Sequence, residues 1–321
     1  MGSLSRVLRV TVEFPSITVT SRSGGNPHPA RKDTEKKTNQ RKCFIEAMIP
    51  RTLEMVFGYN FSMELLSSIS NPFVKHVRSL RQKKARIETG SFLVEGIHHV
   101  GEAVDAGWEV ESVVYAPETL NSAYANDLLS RLAGLDLRVQ PVTAAVMESL
   151  ADKENPQGIL AVVKNKPRSF EDARSSKKLA ALVSPQDPGN LGTILRAVDA
   201  VGADALFLLD GGVELYHPTV VRASMGALFW KPVIQTAFDD FTAWARGRGV
   251  QLIGSSSNAG ADYRTLAPHE PWALILGNEQ KGLSSGQTSA CDVTVSLPMR
   301  GRASSLNLAV AAGVLLYQYA K

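Results

Sequence analysis

Three unbroken apolar runs constrain this chain more than any other feature: LAALV at 179–183, ALFLL at 205–209 and WALIL at 272–276. A strand with one face in water alternates apolar and polar residues, whereas a strand covered on both faces does not. Helical patterns lie between them. Leu191, Ile194, Leu195 and Val198 follow the first run, and residues 238–248 precede strand-like 251–254. Residues 230–234 and 292–296 read as further strands, 210–212 as a loop and 219–225 as a short helix. Such alternation implies right-handed crossovers and a mostly parallel sheet with helices on both faces, an α/β fold.

A smaller α/β unit precedes it, placed at 63–165 with a polar linker at 166–178 and the larger domain at 179–321. Asn71-Pro72 suits a helix start, with Val74, Val77 and Leu80 on a buried face. Lys75, Arg78, Arg81, Lys83, Lys84 and Arg86 follow with no acid between Pro72 and Ile87. A cluster of this kind can neutralise phosphates or form a solvated helix face. Strands are expected at 91–96, 110–115, 138–142 and 159–163, and helices at 97–106 and 124–132. Residues 1–62 read as a basic disordered extension, in which translation starting at Met48 or Met63 is the plainer account.

Composition narrows the function. The net charge of +4 gathers in residues 1–60, with ten Lys/Arg against five Asp/Glu, so global charge does not argue for nucleic acid. Cys43 and Cys291 lie far apart and read as reduced thiols of a cytoplasmic protein. The six histidines form no ligand spacing, so no metal is expected. No apolar run reaches membrane-spanning length. The dinucleotide fingerprint and the Walker pattern are both absent.

The tail reads VSLPMRGRASSLNLAVAAGVLLYQYAK, a strand, a basic loop with Arg300 and Arg302, and a helix opened by Ser305, Leu306 and Asn307. Leu306, Val310, Gly313, Val314 and Tyr317 fall at helical spacing and are expected to be the buried face. A strand, a basic loop and a helix start make a place for an anion or polar ligand.

Three stretches, ALVSPQDPGNLGTILRAVDAVG (181–202), LILGNEQKGL (274–283) and SLPMRGRASSLNLAVAAGVLLYQ (296–318), together resemble the ordered motifs of the SpoU/TrmH family of RNA ribose 2′-O-methyltransferases, of the SPOUT class. The run 71–96, with Glu95-Gly96, resembles the RNA substrate-binding domain ahead of many members. The resemblance implies a deep trefoil knot near the C-terminus, S-adenosylmethionine as cofactor and a homodimer. It implies a polar catalytic set of Asn190, Arg196, Glu279, Ser305 and Asn307. It places cofactor contacts at Ser255, Leu276, Gly277, Leu297, Met299 and Leu306, and RNA contacts at Lys75, Arg78, Arg81, Lys84, Arg86, Arg222, Arg300 and Arg302. By the same resemblance Arg196 matches the arginine implicated in activating the hydroxyl. Because guanidinium stays protonated in proteins, gripping the target phosphate and polarising the 2′-OH is the other role open to it. Glu279 could fix that guanidinium or orient Asn190. Ribosomal RNA is the expected substrate. A tRNA methyltransferase and a non-catalytic RNA-binding protein are the alternatives.

Overall fold

The computed structural model describes residues 64–120, 122–151 and 157–321, which fall in one compact unit, Met63–Lys321. The basic extension, Cys43 and the two alternative start sites lie outside the described residues. Among these residues no helix is long and apolar enough to cross a membrane.

The first part runs α1 (Pro72–Ser79), α2 (Lys83–Thr89), β1 (Ser91–Glu95), α3 (Ile97–Asp105), β2 (Val110–Tyr115), α4 (Ala123–Ala133), β3 (Arg138–Pro141), α5 (Ala144–Leu150) and β4 (Ile159–Lys164). Asn71 caps α1, its side chain accepting from Phe73 N, with Pro72 at the first helical position. The strands form one sheet in the order β1-β4-β2-β3, in which β4 is antiparallel to both neighbours and β2 and β3 are parallel. Both faces of this sheet are covered. Leu93, Leu160 and Val162 meet α1 and α5 on one side. Phe92, Val94, Ile159, Ala161 and Val163 point to the other, into a core shared by α3, α4 and the second part. Helix α5, which the sequence reading lacked, supplies Val146, Met147 and Leu150 to the first of these cores.

The second part runs β5 (Lys178–Val183), α6 (Pro188–Ala200), β6 (Ala205–Leu209), α7 (Pro218–Ala223), α8 (Ala227–Trp230), β7 (Val233–Thr236), α9 (Phe238–Gly247), β8 (Gln251–Ser255), β9 (Ala261–Asp262), β10 (Trp272–Leu276), α10 (Ser285–Ala290), β11 (Val293–Ser296) and α11 (Leu308–Tyr319). The sheet is parallel throughout, in the order β7-β6-β5-β10-β8-β11-β9. The three apolar runs are its centre, as their continuity requires. Leu179, Ala181 and Val183 face α9, while Ala180 and Leu182 face α6 and α11.

Two boundaries differ from expectation. The stretch read as a polar linker folds onto the sheet: Phe170 packs on Phe207 and Trp244, and Arg248 donates to the carbonyls of Ala173 and Ser176. Helix α11 also turns the other way. Ala309, Ala312, Leu315, Leu316 and Tyr319 are buried, whereas Leu306, Val310, Val314 and Tyr317 are exposed, Tyr317 by 62%. The helix is apolar nearly all round, so periodicity cannot choose its inner face.

Candidate active site

In an open parallel sheet, ligands sit beyond the carboxyl ends of the strands where the connections reverse direction. Here β5 leads outward to β6 and β7, while β10 and β8 lie on its other side. The carboxyl ends of β5 and β10 open into a cleft of about 640 Å³ lined by Gln186, Asp187, Asn190, Glu279, Gln280, Ser305, Leu306, Asn307 and Leu308.

A hydrogen-bonded relay crosses the cleft. Asn307 Nδ2 donates to Asn190 Oδ1 at 2.9 Å, and Asn190 Nδ2 donates to Glu279 Oε1 at 3.3 Å. Glu279 also accepts from the backbone N–H groups of Gln186 and Asp187 at 3.0–3.2 Å. Residues 89 and 117 positions apart in the chain thus share one network. Asn307 is the N-cap of α11 as well, its Oδ1 accepting from Ala309 N and Val310 N. Asn190 lies inside the first turn of α6. The helix begins three residues before Leu191, where the apolar pattern starts, with Asp187 as N-cap accepting from Asn190 N at 2.7 Å and Pro188 at the first position. The Asp-Pro pair was the available signal.

Ser184 and Asn278 went unnoticed in the sequence, yet both shape the cleft. Ser184 follows β5 with φ +45°, a left-handed conformation uncommon for serine. Its carbonyl accepts from Asn278 Nδ2 at 2.8 Å, and its hydroxyl donates to Asp210 O at 3.1 Å. Asn278 Oδ1 accepts in turn from Gln280 N and Lys281 N, forming the turn that presents Glu279.

The expected cofactor residues occupy neighbouring strand ends. Leu276 pairs with Ser255, and Ser255 with Val295, so the loops after β10, β8 and β11 leave the sheet side by side. Leu297 packs on the core and Leu306 lines the cleft, while Ser255, Leu276, Gly277, Leu297 and Met299 lie outside its lining. Gly277 is required by its own loop, since a Cβ there would stand 2.2 Å from the Gly282 carbonyl carbon.

Arg196 is exposed on α6, outside the cleft lining; Glu279 therefore orients Asn190 and not that guanidinium. Arg300 and Arg302 are exposed on the loop before α11. The Asp262 carboxyl is held at about 2 by hydrogen bonds from the Arg264 side chain and backbone, with Arg300 adding to the effect.

The basic cluster divides. Lys75, Arg81 and Lys84 are exposed, Lys84 beside Glu88. Arg86 leaves the set of RNA contacts: it is 2% exposed, with Nε and Nη2 on the Glu214 carboxylate at 2.6 and 2.7 Å and Nη1 on the carbonyls of Leu80 and Arg81. No edge of that guanidinium is left for a phosphate. Arg78 and Arg222 line a second cavity, where α1 and β1 meet α7. Among the described residues no three His, Cys, Asp or Glu gather as metal ligands would.

Comparison with known proteins agrees with this geometry. Residues 177–317 match the SpoU rRNA Methylase family, and residues 71–161 match the MRM3-like substrate binding domain. The 23S rRNA (guanosine(2553)-2'-O)-methyltransferase RlmP of Bacillus subtilis is 32% identical over 79% of this chain and 98% of its own. The 23S rRNA (uridine(2479)-2'-O)-methyltransferase of Streptomyces viridochromogenes is 32% identical over 74% of this chain and 85% of its own. Among solved structures, the AdoMet-bound rRNA methyltransferase of Sinorhizobium meliloti superposes with a TM-score of 0.73 at 33% identity, over 79% of this chain and 96% of that one. A relative 32% identical over 79% of this chain and the family match over 177–317 show that the chain belongs to the SpoU rRNA methylase family.

Proposed function

We propose that this protein transfers a methyl group from S-adenosylmethionine to a ribose 2′-hydroxyl of ribosomal RNA. One observation carries the reading: the Asn307–Asn190–Glu279 relay joins three distant segments at the mouth of a parallel sheet. The rRNA methyltransferases that match nearly end to end favour ribosomal over transfer RNA. The relay is also intact, which speaks against an inert RNA binder.

The adjacent loops at Leu276–Gly277, Leu297–Met299 and Leu306, with Ser255 at their edge, suit the methyl donor, since three parallel strand ends deliver them to one place. When bound, that group supplies an electrophilic methyl on a positive sulfonium, whose departure needs no acid. The protein's part is positional. Asn190 and Asn307 lock the first turn of α6 against the start of α11, and Glu279 holds the turn that leads into α6, so an incoming hydroxyl meets a fixed wall. Ser305 stands in the same lining, within the reach expected of a group that orients the ribose. Arg196 serves as a phosphate clamp that also polarises the hydroxyl, consistent with its exposure and permanent charge.

The exposed apolar stripe Leu306, Val310, Val314 and Tyr317 suits a second copy of the chain. The return of α11 from the far side of β8 to lie against α6 and β10 suits a knotted tail. A cytoplasmic location accords with a ribosomal RNA substrate.

The test uses radiolabelled S-adenosylmethionine with unmodified transcripts of 23S rRNA and of tRNA. Label in rRNA that survives alkaline cleavage as a 2′-O-methyl dinucleotide is expected, and no transfer to either RNA overturns the reading. Arg196→Ala should bind the methyl donor normally by calorimetry yet lose transfer. Sedimentation should give a dimer that Val310→Asp with Tyr317→Asp converts to folded monomer.

A further inference from the structure

The turn that follows β10 is held from within. Asn278 Oδ1 accepts from Gln280 N at 3.0 Å and from Lys281 N at 3.2 Å, and the backbones of Asn278 and Gly282 exchange two hydrogen bonds, at 3.2 and 2.9 Å. Asn278 Nδ2 ties the same turn to Ser184 O at 2.8 Å. A Cβ on Gly277 would strike the Gly282–Leu283 peptide, so the turn also closes tightly on its own stem. The backbone of Gln280 is therefore in place before any ligand arrives, and little ordering is left to be lost on binding.

Most polar groups of the cleft are spent on the protein itself. Asn190 and Asn307 use both ends of their amides, Glu279 uses both oxygens, Asp187 one oxygen and Gln186 its side-chain donor. Gln280 and Ser305 differ. Among the described residues neither the Gln280 side-chain amide nor the Ser305 hydroxyl has a hydrogen-bond partner, and both line the cleft. Groups that the fold does not consume are the ones left to meet a ligand.

The charge of the lining says which part of an RNA strand enters. It holds two carboxylates, Asp187 and Glu279, and no lysine, arginine or histidine. A phosphate is repelled there. A ribose with its hydroxyls and a base with its N–H donors are not. Ser305 already suits the ribose, which leaves the Gln280 amide for the base. An amide sets a donor and an acceptor side by side, a pattern that pairs with the edge of a nucleobase. Single-stranded RNA can present that edge because its bases splay from the stack.

We infer that Gln280 reads the base of the nucleotide whose ribose is methylated, an assignment that rests on the methyltransferase reading and adds a specificity contact to it. The two rRNA methyltransferases compared above act on a guanosine in one case and a uridine in the other, so chains alike in sequence differ in the base they select. In the free protein the exposed amide is paired with water. A matching base replaces that pairing, whereas a mismatched one leaves amide and base edge unpaired in a closed contact.

Transfer is measured with transcripts of 23S rRNA in which the nucleotide that the wild-type chain methylates is kept or replaced by each of the other three. The wild type should prefer its own base by about tenfold in kcat/KM. Gln280→Ala should shrink that preference to about twofold, with its urea midpoint and its calorimetric affinity for S-adenosylmethionine unchanged. Gln280→Glu sets out two acceptors and should favour guanine, alone among the bases in carrying two N–H donors side by side on one edge. Gln235→Ala, on the edge strand β7, should match the wild type throughout. A wild type indifferent to the base, a preference that survives Gln280→Ala, or a methyl-donor affinity that falls with the amide each overturn the assignment. A lowered urea midpoint in Gln280→Ala would show the amide to be spent inside the protein, and overturns it as well. Any of these alongside wild-type transfer leaves the methyltransferase reading standing, whereas no transfer to any RNA overturns both.

Discussion

Glu279 accepts two backbone N–H groups of the 186–187 turn and one side-chain amide, so its charge is committed to posture. Hydrogen bonds to a charged acceptor contribute about 1.5–3 kcal/mol each where buried, and less in an open cleft. Glu279→Gln turns an NH₂ toward those donors or leaves them with one weaker acceptor. Methyl transfer to rRNA should fall at least about tenfold and stability by about 1 kcal/mol, read by a transfer assay and urea denaturation. An unchanged rate would mean that the turn keeps its shape unaided. Cys291 makes a contrasting case. Burial pushes its thiol up to about 11, helped by the Asp292 carboxylate, and its Sγ donates to Gln287 O. In a Cys43→Ser background, the native protein at pH 7.5 should react with a disulfide reagent far more slowly than the unfolded chain. Reaction at the unfolded rate would show the thiol to be accessible as thiolate.

At the scale of elements, strands were easier to read than helices. The runs at 179–183, 205–209 and 272–276 could be nothing but strands covered on both faces, and their burial follows. Helix α11 offered no such contrast: Leu315 and Tyr317 are both apolar, and only the position of β10 and α6 decides which turns inward. The motif residues Asn190, Glu279, Ser305 and Asn307 were legible as a set because their order was, whereas Ser184 and Asn278 act through backbone geometry that no residue type advertises. One consequence of the helix's true inner face is testable. Burial pushes the Tyr319 phenol up to about 12, and its hydroxyl donates to Tyr263 O at 3.1 Å. A tyrosine ordinarily titrates near 10, so the neutral phenol is favoured in the folded state. That stabilisation is complete below about pH 10 and is lost as pH rises toward 12. Tyr319→Phe should therefore be less stable than wild type at pH 8, and the gap should narrow by pH 11.5, as followed by urea midpoints. A gap that widens with alkali would mean the phenol ionises freely.

Across the whole molecule, the expected division at 165 and 178 does not separate two cores. Phe92 stacks on Tyr216 at 4.5 Å, Trp108 meets Phe229 edge-on and donates its Nε1–H to the Phe229 carbonyl, and Trp230 donates to Glu102. Arg86 grips Glu214 with two parallel bonds in the same seam. A basic run without acids gave no hint of this, because the partner carboxylate lies 128 residues away. Breaking a buried pair by removing one member is costly, while replacing both by apolar groups is often close to neutral. Arg86→Met should lose about 3 kcal/mol, and adding Glu214→Leu should recover most of it, measured by denaturant unfolding. If the single variant loses nothing, the pair is ornamental and the aromatic contacts alone secure the seam.

A caliper whose joint has seized can gauge only one length. Among the described residues a common core welds the two jaws, so the gap between them is set by packing.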